Sequence, residues 1–354
     1  MNILVISLAG IGDTLFATPL IHELRQNYPS ARIDAFVLWA GSKHLLEGNP
    51  YLNTVHQKNL ITAGKGEAFR FLWHLRRLQY DISLNTHPQS RVLYRGVACF
   101  INARIRASHT YDNSGAWDRL LVNRTTLQDY GRHAVENNLA LLELIGARPL
   151  LPQHQYELHL SSEDREWSHD FWARHKLFGR RVLGIHAGSG GTKNLPLRRW
   201  PLDRYLALAR ELRQSHPDLA VMFVGGPEEK QAHQVILGQM ASEQVLVAEP
   251  PRLRQTAALL ERCELFLSVD TNLMHLASAV KVPRVVVIET PTWNKPIEPY
   301  NHPFTLIPNP AVGGRNLNYY RYDGRGIQGS PDELRCCMES VTVQAVCDTL
   351  RRLL

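Results

Sequence analysis

The sequence predicts a two-domain α/β protein, each domain a doubly wound parallel sheet covered by helices on both faces. Three observations carry that expectation. Short apolar runs alternate with helical patterns, as parallel crossover units require. The alternation restarts after a proline-marked segment near the middle of the 354-residue chain. Each half also opens on a buried-type strand that ends in glycines. A chain of this length exceeds one hydrophobic core of ordinary size, which favours two domains of similar length.

In the first half, "ILVISL" (3–8) is a continuous apolar run suited to a strand buried on both faces. A helix follows, with Leu20, Ile21 and Leu24 on one face, and Pro19 either kinks it or lies at its start. "ARIDAFVL" (31–38) reads as the next strand, "EAFRFLWHLRRLQ" (67–79) as a helix and "YDISLN" (80–85) as a strand. "HAVENNLALLELIGA" (133–147) predicts one periodic helix stopped by Gly146, and "RPLLPQHQYELHL" (148–160) a linker. The second half repeats the pattern. Strands are predicted at 181–188, 219–226, 264–270 and 284–290, with helices at 201–216 and 255–263 and a helix start at 272–280. The expected domains are 1–160, 161–335 and a C-terminal helix over 336–354 that packs back on the N-terminal domain. Two such domains are expected to face a central cleft, with ligands at the carboxyl ends of the strands.

Composition narrows the function. Apolar residues make 44% of the chain and charged residues 21%, an ordinary globular profile. No apolar run is long enough to span a bilayer. The N-terminus has no basic flank and reads as a strand, not a secretion signal. Five cysteines without C-x-x-C spacing suggest neither a disulfide framework nor a zinc site, and a reducing cytoplasm fits them. The net charge of +7 is not spread as a nucleic-acid binder would spread it. Six arginines between 91 and 124 face only Asp112 and Asp118, so an acidic partner of limited size is expected, and no nucleic acid.

At the strand ends, "GIHAGSGGTKN" (184–194) lacks the glycine before Lys193 and the hydroxyl residue after it that a P-loop needs. The opening "GIGD" has two glycines of a dinucleotide fingerprint, but Leu15 occupies the third position. Asp13, directly behind those glycines, is either a helix cap or a group that does chemistry. "SVDTNLMHLASA" (268–279) delivers Asp270 and Thr271 from a strand into a helix whose N-terminal N–H groups suit a diphosphate. His275 would face the same ligand or pack in the core. Glu228, in "GGPEE", would accept hydrogen bonds from ribose hydroxyls or be part of a turn. No Asp-x-Asp occurs in the chain, so a carboxylate pair for a metal on a nucleotide sugar is missing. "FRFLWHLRRL" (69–78) would either lie on an anionic membrane surface or pack against the sheet, and the Tyr- and Arg-rich stretch 313–326 would cover the site or be an ordinary loop.

Taken together in their order, these pieces resemble the bacterial lipopolysaccharide heptosyltransferases, glycosyltransferases of the GT-B type. The resemblance rests on "GIGDTLFATPLIHELRQNYPSARID", "YDISLNTH", "HAVENNLALLELIGA", "IHAGSGG", "RRWPLDRYLALARELRQ", "FVGGPEE", "VDTNLMHLASAV" and "CMESVTVQAV". It implies inverting, metal-independent transfer of a heptose from ADP-heptose to a lipopolysaccharide core, with no cofactor. It implies that Asp13 is the general base. It also places the leaving-group cation on Arg198, where better-known members carry lysine before Trp-Pro, with Lys193 as the nearby substitute. Donor-binding positions implied are Gly188, Ser189, Lys193, Glu228, Asp270, Thr271, Asn272, Leu273 and His275. Asn272 stands where the family commonly has glycine, and asparagine tolerates a left-handed backbone better than most residues. Acceptor-binding positions are Gly10, Gly12, Thr14, His87, Arg91 and Arg95. The expected partners are a nucleotide sugar, an anionic glycolipid acceptor and, transiently, the cytoplasmic face of the inner membrane, with the chain as a monomer. Alternatives are a relative moving another sugar to a capsule, O-antigen or small acceptor, a nucleotide-sugar epimerase, and a non-catalytic nucleotide-binding module.

Overall fold

A computed structural model describes residues 1–189, 195–240, 245–313 and 329–354. Lys193 and the stretch 314–326 of the Tyr- and Arg-rich loop lie outside the described residues. The described chain divides into two compact units. One comprises Met1–His159 and, returning much later, Lys295–Tyr300; the other holds the remainder.

The first unit carries β1 (Asn2–Ser7), β2 (Arg32–Val37), β3 (Thr54–Gln57), β4 (Ile82–Asn85), β5 (Ile105–Thr110) and β6 (Arg124–Leu127). They form one parallel sheet in the order β3-β2-β1-β4-β5-β6. In its centre Ile3 stands opposite Ile33 on one side and Ile82 on the other. Ile3, Leu4, Val5 and Ile6 have no exposed surface, which is why β1 reads as an unbroken apolar run. The second unit carries β7 (Val182–His186), β8 (Ala220–Val224), β9 (Val245–Ala248), β10 (Leu265–Ser268), β11 (Arg284–Ile288) and β12 (Phe304–Ile307). Its sheet, β12-β11-β10-β7-β8-β9, is also parallel throughout. Counted from its own first strand, it repeats the order of the first sheet. In each sheet the winding reverses beside the first strand, between β1 and β4 and between β7 and β10. Such a switch point leaves a crevice at the carboxyl ends of the strands.

Several local expectations change. Pro19 does not kink a helix. One helix, Ile11–Phe16, ends, and a second, Thr18–Asn27, begins with Pro19 in its first turn, where a missing N–H costs nothing. The predicted helix over 133–147 is α-helical only from Ala134 to Leu139 and then tightens into a 3₁₀ segment, Ala140–Ile145. Its middle is tied to other segments: Asn138 donates to the Phe16 carbonyl and accepts from the His87 N–H. The last turn narrows before Gly146, whose φ of 75° closes it. The C-terminal residues form two helices, Pro331–Glu339 and Val343–Leu353. Their residues Met338, Val346, Cys347 and Leu350 belong to the core of the second unit.

The returning segment Lys295–Tyr300 is anchored in the first unit. The His133 ring, Nε2–H outward, donates to the Glu298 carbonyl at 2.8 Å, and the Tyr300 hydroxyl bonds Glu136. Burial lowers the His133 pKa to about 4, so the ring stays neutral and this bond is unaffected near neutral pH.

Candidate active site

In the first unit, β1 runs out through Leu8 into the exposed Gly10, and the helix Ile11–Phe16 starts at the switch point. Asp13 is the third helical residue. Its Oδ2 accepts the Gly10 N–H at 2.7 Å, so the capping role exists. The same carboxylate is half-buried, and its charge reaches three phenols. Tyr94, Tyr111 and Tyr156 are all held neutral above the usual tyrosine range, chiefly by burial, with Asp13 pushing each further in the same direction. The cap bond fixes the carboxylate in place.

The acceptor-binding candidates separate into two groups. Gly10, Gly12 and Arg91 are at least partly exposed, and the Arg91 charge pulls the Tyr94 pKa down where that of Asp13 pushes it up. Thr14, His87 and Arg95 lie inside. Thr14 bonds the Ser42 hydroxyl at 2.8 Å with no exposed surface. His87 stacks on Tyr111 at 5.7 Å between ring centroids, and burial drives its pKa far down. Arg95 pairs with the buried Asp118 and donates to the Gln89 and Ser90 carbonyls. His87 and Arg95 support the loop at the end of β4 from inside, and Thr14 ties the helix Ile11–Phe16 to Ser42.

In the second unit the side chains at the switch point are more tightly organised. Asp270, just beyond β10, is buried, and one of its oxygens accepts from Arg198 at 2.8 Å and from the Thr292 hydroxyl at 3.2 Å. Burial raises the Asp270 pKa, while Arg198 and Thr292 pull it back. Arg198 is itself only 5% exposed, so the two form a buried ion pair with Thr292 bridging them. Thr271 caps the helix Asn272–Ala279, accepting from the Met274 N–H, and its hydroxyl also meets His186 Nδ1 at 3.1 Å. Asn272 opens that helix without a positive φ, so the left-handed turn considered for it is not formed. Leu273 and His275 are buried in the helix.

Gly188 and Ser189 follow β7. A Cβ at Gly188 would stand 2.2 Å from Glu229 Oε1 and 2.7 Å from His186 Nε2, so any other residue would have to displace those two side chains. Ser189 is held by Arg199, which donates to both its hydroxyl and its carbonyl. Glu228 is exposed, and the buried carboxylate of that turn is its neighbour Glu229. Burial pushes the Glu229 carboxyl up. The bond and charge of His186, the Gly226 N–H and Arg199 outweigh that and hold it below the ordinary range. Sequence reasoning missed His186, Arg199, Glu229 and Thr292. The adjacent pair in "GGPEE" hid which glutamate turns inward, although a carboxylate three residues after Gly226 fits a capping turn.

Substituting Gly188 by alanine is expected to displace Glu229 and His186 and to destabilise the second unit by about 1–3 kcal/mol. A thermal melt of Gly188→Ala beside the wild type measures it, and an unchanged melting temperature would contradict the packing described.

Two parallel sheets of the same winding, each with its charged groups at the switch point, are the architecture of GT-B glycosyltransferases. Residues 68–313 match the model of glycosyltransferase family 9 (heptosyltransferase). The chain therefore belongs to glycosyltransferase family 9, the heptosyltransferases, and is a transferase. Among relatives, "Lipopolysaccharide heptosyltransferase 3" of Escherichia coli is 26% identical over 290 residues, covering 77% of this chain and 79% of that protein. The solved E. coli ADP-heptose LPS heptosyltransferase II superposes with a TM-score of 0.73 at 22% identity, over 100% of this chain and 98% of that one. E. coli heptosyltransferase WaaC with ADP gives 0.68 at 17% identity, over 99% and 97%. No helix among the described residues is long and apolar enough to cross a membrane. Among the same residues no group of three or more His, Cys, Asp or Glu side chains is placed to hold a metal ion.

Proposed function

We propose that the chain transfers a heptose from ADP-heptose to an anionic lipopolysaccharide core acceptor, with inversion and without a metal or other cofactor. The observation that carries the reading is the buried Arg198–Asp270 pair beside the capped N-terminus of the helix Asn272–Ala279. A guanidinium and a set of helix N–H groups together meet the charge that gathers on a departing diphosphate. Relatives carry the lipopolysaccharide name, and one solved neighbour holds ADP.

In this reading the first unit binds the acceptor through Gly10, Gly12 and Arg91, and the second binds the donor through Gly188, Ser189, Asp270, Thr271 and Asn272. Asp13 takes the proton of the acceptor hydroxyl as that oxygen attacks the anomeric carbon. The bond to the diphosphate breaks on the opposite side, so configuration inverts. Asp270 keeps Arg198 oriented, Thr271 holds the helix start and Lys193 supplies a second cation. The enzyme works as a monomer at the cytoplasmic face of the inner membrane, with no nucleic-acid partner.

Thermal-shift titration against ADP, UDP, GDP and CMP sugars tests the donor. ADP-heptose is expected to raise the melting temperature most. A preference for UDP sugars would overturn the donor assignment, and turnover of donor without any acceptor would favour an epimerase instead.

A further inference from the structure

Two neighbouring helices of the first unit, Lys65–Arg77 and Val92–Ile101, cover one face of its sheet. Right-handed crossovers place both on that side. Their inner residues, among them Phe71, Leu72, Leu75, Ala98 and Ile101, pack on Leu4, Ile6 and Phe36. The outer surface would ordinarily be polar. Here it is aromatic. Phe69 and Trp73, one turn apart, are 53% and 47% exposed and stack at 5.9 Å. Phe100 of the second helix meets both edge-on, at 5.7 and 6.5 Å. The Arg76 guanidinium lies 5.9 Å from the Trp73 ring and donates to the Phe100 carbonyl at 2.7 Å. Leu93, at the start of the second helix, is 74% exposed.

The charge around this cluster has one sign. Lys65, Arg70 and Arg77 are exposed on the first helix, whose single acid, Glu67, is paired with Lys58. On the second helix the described cation, Arg95, is turned inward against Asp118, so the charges beside the rings are those of the first helix, Arg76 among them. Exposed rings in a cationic rim fit the boundary region of a lipid bilayer. There, aromatic residues rest among the headgroups, arginine stems lie along apolar surface, and anionic headgroups neutralise the guanidiniums.

We propose that the outer face of helices Lys65–Arg77 and Val92–Ile101 docks on an anionic lipid surface. Phe69, Trp73 and Phe100 enter the headgroup region, and Arg70, Arg76 and Arg77 contact lipid phosphates. The proposal rests on the function above only in that the acceptor is carried by a lipid. Its test uses no substrate, so it stands or fails separately from the transfer reading.

The test is cosedimentation of the full chain with vesicles of equal phosphatidylglycerol and phosphatidylcholine, and of phosphatidylcholine alone. Binding to the anionic vesicles alone is expected, weakening as salt rises. The double variants Phe69→Ser/Trp73→Ser and Arg70→Glu/Arg77→Glu should each lower partitioning by about tenfold or more with melting temperatures unchanged, since all four side chains are exposed. Absence of wild-type binding, or equal binding by the variants, would overturn the proposal. So would a wild-type dimer in analytical ultracentrifugation that Phe69→Ser/Trp73→Ser dissolves, because the face would then join two copies of the chain.

Discussion

Asp13→Asn should transfer sugar about 10²–10⁴-fold more slowly than the wild type, the range that loss of a positioned base produces. The substitution is nearly isosteric. Its side-chain oxygen still accepts the Gly10 N–H, so the cap bond at 2.7 Å and the helix Ile11–Phe16 should persist. In the proposed function the donor is bound by the other unit, so affinity for ADP should be unchanged. The measurements are initial rates with saturating acceptor, ADP binding by calorimetry and a thermal melt. A variant that transfers at close to the normal rate would reduce Asp13 to its cap. One that melts early would show instead that the cap dominates. The surrounding phenols sharpen the expectation. With Tyr94, Tyr111 and Tyr156 held neutral, none of them replaces the carboxylate as a base near neutral pH.

The second large effect concerns the buried pair. Arg198→Met leaves Asp270 with the Thr292 hydroxyl but without its counter-charge, and breaking such a pair costs about 3–5 kcal/mol. Denaturant unfolding should show that loss. Because Asp270 already has a raised pKa, the expected response of the variant is to bind a proton there. Its stability deficit should therefore shrink as the pH is lowered. The double variant Arg198→Met/Asp270→Asn should recover much of the stability while still failing to bind ADP tightly. Equal loss in single and double variants would mean that the pair contributes no coupling. Recovered ADP affinity would remove Arg198 from the donor site.

The elements that were legible in the sequence are those at the sheet centres. β1, β7 and β10, with their neighbours β2, β8 and β11, are buried on both faces and carry mostly apolar runs, while β4 "ISLN" is buried with two polar residues. The strands that escaped notice are β3, β5, β6, β9 and β12, and all but β5 lie at sheet edges. β3 "TVHQ" and β6 "RTTL" are edge strands with half-buried or exposed side chains, and their pattern resembles a loop. β5, although interior, carries "IRASHT", where Arg106 and His109 satisfy carbonyls of neighbouring segments. Among candidate site residues, sequence position located strand ends well but not the direction of side chains. Arg95 and Arg91 are four residues apart on neighbouring turns, yet Arg95 is nearly fully buried and Arg91 exposed. What separates them is Asp118, a partner 23 positions away that no local pattern reveals.

The segment Lys295–Tyr300 has a practical meaning for anyone dissecting the enzyme. The first unit is not a continuous stretch of polypeptide, and a fragment stopping at the linker would be an incomplete domain. Without the Glu298 carbonyl, the Nε2–H of His133 would lose the acceptor that now meets it at 2.8 Å. Glu136 would lose the Tyr300 hydroxyl, and Phe16 and Tyr156 would be missing the ring that completes their aromatic stack. Splitting the gene at the obvious boundary would thus yield a half-enzyme with an open wound in its core. Separate production of the first unit calls for a graft of those six residues, or for both units expressed together.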